Sequence, residues 1–192
     1  MDLIVSSMLL LLCAPLIIAC LLIIPLESQG PALFKQRRVG KGGKIFTLYK
    51  FRSMTNNAIS NEELEATQKS TRVGIAMKFD NDPRITRVGR LIRKFSIDEL
   101  PQLINVFQGN MSLIGPRPAL PSETAQYTLY QRQRLTTMPG ISGLWQVSGR
   151  SALNFEQQVA LDIQYGQESN LWMDLKITFL TMLAVLLAKG AN

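Results

Sequence analysis

The sequence predicts an α/β fold that is rich in helix, contains a small sheet built around a hairpin, and begins with a membrane-inserted helix. Three observations support this prediction: an apolar run at residues 3–26, a glycine cluster between strand-like segments at residues 39–54, and amphipathic helical patterns after residue 84. A chain of 192 residues can form one domain with a core and one membrane element. We therefore divide it into a membrane helix at residues 1–27 and a second unit at residues 28–192.

The apolar run at residues 3–26 is interrupted only by two serines. As a straight helix it would be about 36 Å long, which is enough to span a bilayer. A secretory signal peptide fits poorly, because no Lys or Arg precedes the run. A transmembrane helix would place the basic residues at 35–44 in the cytoplasm. Pro15 cannot donate a hydrogen bond to the carbonyl of Leu11, so we expect a kink at the middle of this helix.

A hairpin is predicted at residues 39–54, where strand-like residues flank the cluster Gly40-Lys41-Gly42-Gly43. The cluster lacks the pattern of a phosphate-binding loop and leads into a strand, so we interpret it as a turn. The second strand carries Lys50 and Arg52, which share one face because they are two residues apart.

The remaining segments are mostly helical in pattern. Residues 56–79 are polar and are expected to form a surface excursion with a short helix at 61–68. Further helices are predicted at residues 85–95, from Ser96 to Gly109, and at 122–136, 155–165 and 171–189, and a glycine-rich loop and strand at 139–150. The helix at 85–95 is basic and amphipathic, and Ser96 with Glu99 fits a capping box. The last helix has too few apolar residues to span a bilayer, so it belongs to the core or to the membrane interface.

Composition restricts the chemistry that is available. The net charge of +7 favours anionic partners, which include nucleic acid, anionic lipid and phosphorylated substrates. Histidine, the commonest general base and metal ligand, is absent from the sequence. Cys13 and Cys20 lie seven residues apart in the apolar run, too far along a helix for a disulfide. Acid–base chemistry must therefore come from carboxylates, Lys, Tyr or Cys.

Two adjacent carboxylates, Asp98 and Glu99, begin the predicted helix after Ser96. Acidic residues in a first helical turn usually only stabilise that end of the helix. Here, however, several arginines precede the pair, and Pro116-Arg117-Pro118 holds a further cation in a rigid loop. A carboxylate can attack phosphorus, and attack on a pyrophosphate requires cations to neutralise its oxygens. The combination indicates phosphoryl-transfer chemistry.

Four motifs together resemble the bacterial sugar transferase family of monotopic phosphoglycosyl transferases. They are KFRSM at residues 50–54, DELPQL at 98–103, GPRP at 115–118 and PGISGLWQVSGR at 139–150. The resemblance extends from Asp2 to about Lys189. It implies transfer of a sugar-1-phosphate from a UDP-sugar to polyprenyl (undecaprenyl) phosphate with release of UMP, by a ping-pong mechanism through a covalent aspartyl-phosphosugar. Such a reaction initiates a surface glycan.

The resemblance also implies a setting. The cofactor would be Mg²⁺, and the catalytic domain at 28–192, with its interfacial helices, would lie on the cytoplasmic face of the bacterial inner membrane. Its partners would be UDP-sugar, polyprenyl phosphate and membrane lipid, not nucleic acid, while a homodimer is left open. In the family pattern Pro15 breaks a re-entrant helix whose two ends both stay in the cytoplasm.

Roles for single residues follow from the same resemblance. Asp98 would be the nucleophile and a ligand of Mg²⁺, and Glu99 would assist the polyprenyl phosphate. Arg117 would bind phosphate. Further substrate- or phosphate-binding residues would be Lys50, Arg52, Arg93, Gln146, Arg150 and Asp162. Two positions depart from the family pattern, since Ala14 stands where Ser is usual and Met138 where Lys or Arg is usual.

Two other functions stay open at this point. A basic membrane-surface protein without enzymatic activity would bind anionic lipid or nucleic acid through the helix at 85–95. A phosphohydrolase would use Asp98 and Mg²⁺ to transfer the phosphosugar to water. The sequence does not specify the sugar, the length of the polyprenol or the glycan.

Overall fold

The computed structural model describes residues 2–55 and 82–187. The described helices are α1 (Asp2–Glu27), α2 (Arg87–Lys94), α3 (Gln102–Phe107), α4 (Pro121–Thr124), α5 (Leu129–Arg132), α6 (Leu144–Ser148), α7 (Phe155–Glu168) and α8 (Leu171–Leu186). The described strands are β1 (Leu33–Val39), β2 (Ile45–Phe51), β3 (Ser112–Ile114) and β4 (Gly140–Ser142). The predicted helix-rich α/β fold is confirmed. The predicted excursion at 56–79, with its short helix, lies outside the described residues.

The predicted hairpin is confirmed and begins earlier than expected. β1 and β2 are antiparallel, with Leu33 opposite Phe51 and Val39 opposite Ile45. The turn between them is a short 3-10 segment, in which Gly42 has a φ of 65°. This left-handed conformation favours glycine, so the cluster serves as a turn. The hairpin thus places Lys50 near the end of β2.

A second sheet, which the sequence did not predict, pairs β3 and β4 in parallel. Ser112 lies opposite Gly140, and Ile114 lies opposite Ser142. The backbones are unusually close here, because a Cβ on Gly140 would lie 2.1 Å from the backbone nitrogen of Gly115. The start of the GPRP motif therefore packs directly on the start of the PGISG motif.

Three apolar clusters form the core. The first joins α1 to the body, through Cys20 and Ile24 packed with Ala32, Phe51 and Ile92. The second lies between β2 and α3, and consists of Leu48, Val106 and Met111. The third lies beneath α7 and α8, and consists of Ile114, Tyr165 and Ile177. The hairpin thus packs on α1, α2 and α3, and the short second sheet packs on α7 and α8.

Helix α1 continues through both Pro15 and Pro25. By length and composition it could cross a membrane. Many of its large apolar side chains are exposed, and Leu11 and Leu12 are each 77% exposed. Ser6, near its start, is nevertheless fully buried.

Both ends of α1 are associated with the body. At its C-terminal end, the carboxylate of Glu27 accepts hydrogen bonds from the backbone N–H groups of Arg87 (2.7 Å) and Val88 (2.9 Å), at the first turn of α2. At its N-terminal end, the charge of Asp2 is among the influences that raise the pKa of Tyr165 in α7, after burial and Asp174. Asp2 therefore lies within electrostatic reach of the body.

The predicted helix start at Ser96 is wrong. Ser96 has a φ of 55°, and its side chain caps nothing, so the capping box with Glu99 does not form. Residues Ile97–Glu99 form a 3-10 turn, and the α-helix begins only at Gln102. Pro101 lacks the N–H that would bond to the carbonyl of Ile97, so regular α-helical bonding begins after it. Gly109, with a φ of 73°, follows the end of the helix, as predicted.

The other predicted helices are confirmed with changes. The helix expected at 122–136 is divided into α4, α5 and a 3-10 turn, because Thr128 caps a new helix through the backbone N–H of Gln131. The loop and strand expected at 139–150 contain β4 as predicted and also the short helix α6. Helices α2, α7 and α8 form where the apolar periodicity predicted helix.

Candidate active site

The hairpin brings Lys50 to the carboxylate pair. The Lys50 Nζ atom lies 2.8 Å from Oδ2 of Asp98 and 3.7 Å from Oε1 of Glu99. Asp98 is only 3% exposed, whereas Lys50 and Glu99 are half-buried. Lys50 and the carboxylate pair, which the sequence selected from separate motifs, therefore form one charged cluster.

Asn105 attaches β2, which carries Lys50, to α3, the helix that follows the turn with Asp98 and Glu99. Its side chain is fully buried in α3. Its Nδ2 donates to the carbonyl of Thr47 (2.7 Å), and its Oδ1 accepts from the backbone N–H of Tyr49 (3.0 Å). The amide thus attaches α3 to β2 one residue before Lys50.

The electrostatic environment of Asp98 favours the protonated form of its carboxyl group. Burial raises its pKa, the charge of Lys50 lowers it, the charge of Glu99 raises it and that of Arg93 lowers it. Burial outweighs the cations, so the net pKa is above the ordinary value for an aspartic acid. Arg93, in the last turn of α2, is therefore within electrostatic reach of Asp98 as well.

The Pro116-Arg117-Pro118 loop is held rigidly on a neighbouring part of the surface. Both prolines are buried, while the Arg117 side chain is exposed. Four successive carbonyls, from Pro116 to Ala119, all accept hydrogen bonds. The donors are Gly140 N–H to Pro116 (2.9 Å), Arg134 Nη2 to Arg117 (3.5 Å), Arg38 Nη1 to Pro118 (3.0 Å) and Val39 N–H to Ala119 (2.9 Å). The loop therefore presents one cation at a fixed place.

Arg38 connects this loop to the carboxylate cluster. Burial, followed by the like charge of Arg117, lowers the pKa of Arg38 to about 10. Among the opposing influences are the charges of Glu123 and Glu99. Arg38 is thus within electrostatic reach of both Arg117, in the rigid loop, and Glu99, in the carboxylate cluster.

Asp162 forms a buried ion pair with Arg134. Asp162 is 1% exposed and Arg134 is 5% exposed. The Nη1 atom of Arg134 also lies 3.2 Å from the hydroxyl of Tyr127, and its guanidinium lies over the rings of Tyr127 and Phe155. Burial raises the pKa of Asp162 to about 6, although the charge of and hydrogen bond from Arg134 oppose this. Asp162 is thus not an exposed helix acid.

Arg52 is engaged with the end of α1. Its guanidinium donates to the carbonyls of Ser28 (2.6 Å), Gly30 (3.0 Å) and Gln29, and the side chain is 5% exposed. These contacts give Arg52 a structural role in the turn that joins α1 to β1. Its binding of phosphate stays a prediction.

Gln146 and Arg150 lie beside β4. Gln146 Nε2 donates to the carbonyl of Ile141 (3.1 Å), and Arg150 Nε donates to the carbonyl of Gln146 (2.8 Å). Trp145 is 5% exposed, which agrees with a core residue and not with a stacking platform. Substrate binding by Gln146 and Arg150 stays a prediction.

The family model described as bacterial sugar transferase matches residues 1–188. The chain belongs to the bacterial sugar transferase family. The four motifs that suggested this family are the segments that build the carboxylate cluster, the rigid loop and the β4 segment.

Named relatives of the chain agree with the family assignment. It is 48% identical to the galactosyl transferase CpsE of Streptococcus agalactiae, over 86% of this chain and 37% of the relative. It is 43% identical to the undecaprenyl-phosphate galactose phosphotransferase of Salmonella typhimurium, over 99% of this chain and 40% of the relative. It is 37% identical to the exopolysaccharide production protein ExoY of Rhizobium meliloti, over 99% of this chain and 85% of the relative.

The chain spans about two fifths of the first two relatives. It spans 85% of the third.

Sequence reasoning missed three residues that hold the candidate site in place. Arg38, Asn105 and Arg134 act through partners that are 80, 56–58 and 17–28 residues away in the chain. A basic residue on a strand or an amide in a helix gives no local sign of such a partner. Pairing of Asp162 with a particular arginine had no sequence signal either.

Proposed function

We propose that this sugar transferase moves a sugar-1-phosphate from a UDP-sugar to a polyprenyl phosphate, with release of UMP. The observation that carries the proposal is the buried carboxylate of Asp98, paired with Lys50 and adjacent to Glu99. The relatives named as undecaprenyl-phosphate galactose and glucose phosphotransferases support the class of acceptor. The product would be the first lipid-linked sugar of a surface glycan.

In the first half-reaction, a carboxylate oxygen of Asp98 attacks the phosphorus that carries the sugar. A new oxygen–phosphorus bond forms, the bond to the bridging oxygen of the pyrophosphate breaks, and UMP leaves with that electron pair. Lys50 and Arg93 keep positive charge beside the attacking carboxylate, and Arg117 offers a rigid cation to the phosphates. The sugar phosphate is then held on Asp98 as an acyl phosphate.

In the second half-reaction, an oxygen of the polyprenyl phosphate attacks the same phosphorus. The bond from phosphorus to Asp98 breaks, and the carboxylate is regenerated. Glu99 lies beside Asp98 and beside Lys50, where it would orient the incoming phosphate through Lys50. Exclusion of water from the buried Asp98 carboxylate would protect the acyl phosphate from hydrolysis.

Asp98 and Glu99 also fit the way in which proteins bind Mg²⁺. This ion is usually held by one or two carboxylates together with substrate phosphates. No cluster of three or more His, Cys, Asp or Glu side chains that could hold a metal occurs among residues 2–55 and 82–187. When bound, Mg²⁺ would neutralise charge on the oxygens of the pyrophosphate.

The membrane face is assigned from exposed apolar side chains. Five exposed apolar residues of α8 repeat every three to four residues and form one stripe; they are Trp172, Leu175, Phe179, Met182 and Leu186, which are 49–78% exposed. The apolar side chains of α1 are exposed as well. Large exposed apolar surfaces of this kind mark membrane or partner contacts. We assign both to the cytoplasmic leaflet of the inner membrane.

The two ends of α1 support a re-entrant helix. Glu27 bonds to α2, and Asp2 is within electrostatic reach of Tyr165, so both ends are beside the same body. A spanning helix would separate its ends by a hydrocarbon layer about 30 Å thick. The buried Ser6 shows that the first half of α1 also contacts the body.

The first experiment is to measure UMP release by the purified protein in nanodiscs with Mg²⁺. A panel of UDP-sugars is tested with and without undecaprenyl phosphate, beside Asp98→Asn. Turnover that requires the acceptor, occurs with one sugar and is lost in Asp98→Asn is the expected result. A burst of UMP without acceptor, equal to the amount of enzyme, would identify the covalent intermediate.

Other outcomes assign other functions. UMP release that continues without acceptor would indicate a phosphohydrolase. No UMP with any sugar would contradict the transferase. Charge reversal across α2 that abolishes vesicle binding would then favour a membrane-surface protein that is not an enzyme.

A further inference from the structure

The carbonyl of Arg117 is held by a side chain that is itself fixed on several sides. Arg134 donates to this carbonyl, pairs with Asp162, contacts the hydroxyl of Tyr127 and lies over the ring of Phe155. Arg134 also lines a small pocket with both prolines of the loop and with Arg117. The orientation of the loop backbone is therefore coupled to a buried ion pair behind it.

This ion pair is poorly explained as a device for stability. Removal of two charges from water costs several kcal/mol for each ion, and an apolar pair of similar size is often as stable. Arg134 Nε and Asp162 Oδ1 are buried without a hydrogen-bond partner among the described residues, so the pair is not fully satisfied. The contact of Arg134 with the Arg117 carbonyl offers a different explanation for the buried ion pair.

Asp162 is also badly placed to contact a substrate. It is 1% exposed. Arg134, which lies between Asp162 and the loop, is itself only 5% exposed. An effect of Asp162 on substrate binding would therefore have to pass through Arg134. This differs from the direct phosphate contact that the family resemblance implied.

We propose that Arg134 and Asp162 are positioning residues, which hold the Arg117 backbone so that the exposed Arg117 side chain meets the phosphates of the substrate. The inference rests on the proposed function, in which Arg117 binds phosphate. Asp162 neutralises and orients Arg134, and Arg134 holds the carbonyl that belongs to Arg117 itself.

A double-mutant cycle tests this coupling. Asp162→Asn, which preserves shape, is made in the wild-type and in the Arg117→Ala background, and KM and kcat for the UDP-sugar are measured. In the wild-type background we expect KM to rise about tenfold with a smaller change in kcat, because coupled residues in one network interact at this level. In the Arg117→Ala background, Asp162→Asn should change KM less than about twofold.

Tyr165→Phe is the matched control. Tyr165 lies in the same helix as Asp162, and its hydroxyl bonds to Asp174 (2.7 Å) and to the carbonyl of Ile114 (3.3 Å), not to the Arg117 carbonyl that Arg134 holds. Tyr165→Phe should lower the thermal unfolding temperature but show no coupling with Arg117→Ala. If Asp162→Asn changes KM by the same factor in both backgrounds, as an uncoupled substitution does, the inference is overturned and Asp162 is a structural residue.

A binding measurement separates this inference from the proposed function. Calorimetric titration with UDP follows the same cycle without turnover. Coupled loss of UDP binding in a protein that releases no UMP would support the positioning role and contradict the transferase. Turnover together with independent effects of Asp162→Asn and Arg117→Ala on UDP binding would support the transferase and contradict the positioning role. Failure of the wild-type protein to bind UDP would contradict both proposals.

Discussion

The ammonium group of Lys50 lies 2.8 Å from Oδ2 of Asp98, which is 3% exposed. Among the residues that the structure describes, Lys50 is the cation that pairs with the proposed nucleophile. It opposes the effect of burial, which on balance still raises the pKa of Asp98. The ionisation of Asp98, and with it the proposed chemistry, should depend on this contact.

Replacement of Lys50 by Met should move the acid limb of activity to higher pH. Only ionised Asp98 can attack phosphorus, so the rate falls as pH falls through its pKa, and loss of Lys50 raises that pKa further. The measurement is the pH profile of the single-turnover UMP burst. Lys44→Met, an exposed change in the same hairpin, should leave the profile unmoved. An unchanged acid limb in Lys50→Met would contradict the assignment.

Asp98→Asn should abolish the burst and stabilise the fold. With its raised pKa, Asp98 binds more protons folded than unfolded, so its contribution to stability is present at low pH and lost as pH rises through the folded pKa. Asn removes that loss, and Glu99 still pairs with Lys50. The unfolding temperature should rise by about 2–4 °C near neutral pH, and by less in acid. Glu168→Gln, at an exposed carboxylate, should give no rise; destabilisation by Asp98→Asn would count against this explanation.

Asn105→Ala should destabilise the protein by about 3 kcal/mol, because it leaves the backbone groups of Thr47 and Tyr49 without partners. It should also slow the UMP burst, since β2 carries Lys50. The measurements are denaturant unfolding and burst rate. Asn110→Ala, which removes only an exposed contact with Gln108, is the control. A burst rate equal to wild type would show that Asn105 does not position Lys50.

Trp172 should be quenched by brominated lipid. It is 78% exposed on the apolar stripe of α8, while Trp145, the other tryptophan of the chain, is 5% exposed. Nanodiscs with brominated acyl chains should therefore reduce the emission of the wild-type protein strongly. Trp172→Phe, which retains Trp145, should be quenched much less. Equal quenching of the two proteins would remove α8 from the membrane face.

A cysteine at position 2 should be labelled from the cytoplasmic side. Asp2→Cys is compared with Gln167→Cys, at an exposed position of α7, by use of an impermeant maleimide on oriented vesicles. A re-entrant α1 requires both cysteines to react from the same side. Reaction of the two cysteines from opposite sides would show that α1 spans the bilayer.

Local patterns predicted the elements but not how they meet. The hairpin and α2 could be predicted because their patterns depend on neighbouring residues. These patterns are the alternation in β2, the glycines of its turn and the basic periodicity of α2. The capping box at Ser96 failed because Pro101 prevents α-helical bonding at that place. The family motifs gave Lys50, Asp98 and Glu99, which the structure brings together.

The missing part of the site depends on distant contacts. Asp162 pairs with Arg134 from 28 residues away, and Asn105 bonds to β2 from more than 50 residues away. Charge and polarity alone cannot select one such partner among many. These contacts follow from packing, which a single sequence does not display.

The contact between Gly115 and Gly140 restricts how this protein can be altered. A Cβ at Gly140 would lie 2.1 Å from the Gly115 nitrogen, and one at Gly115 would lie 2.3 Å from the carbonyl oxygen of Met138. The two chain segments therefore have to be exchanged together in a chimera. If a graft takes residues 112–118 from a relative but keeps the original residues 138–143, two unmatched backbones pack against each other. The position of Arg117 then shifts with the grafted segment.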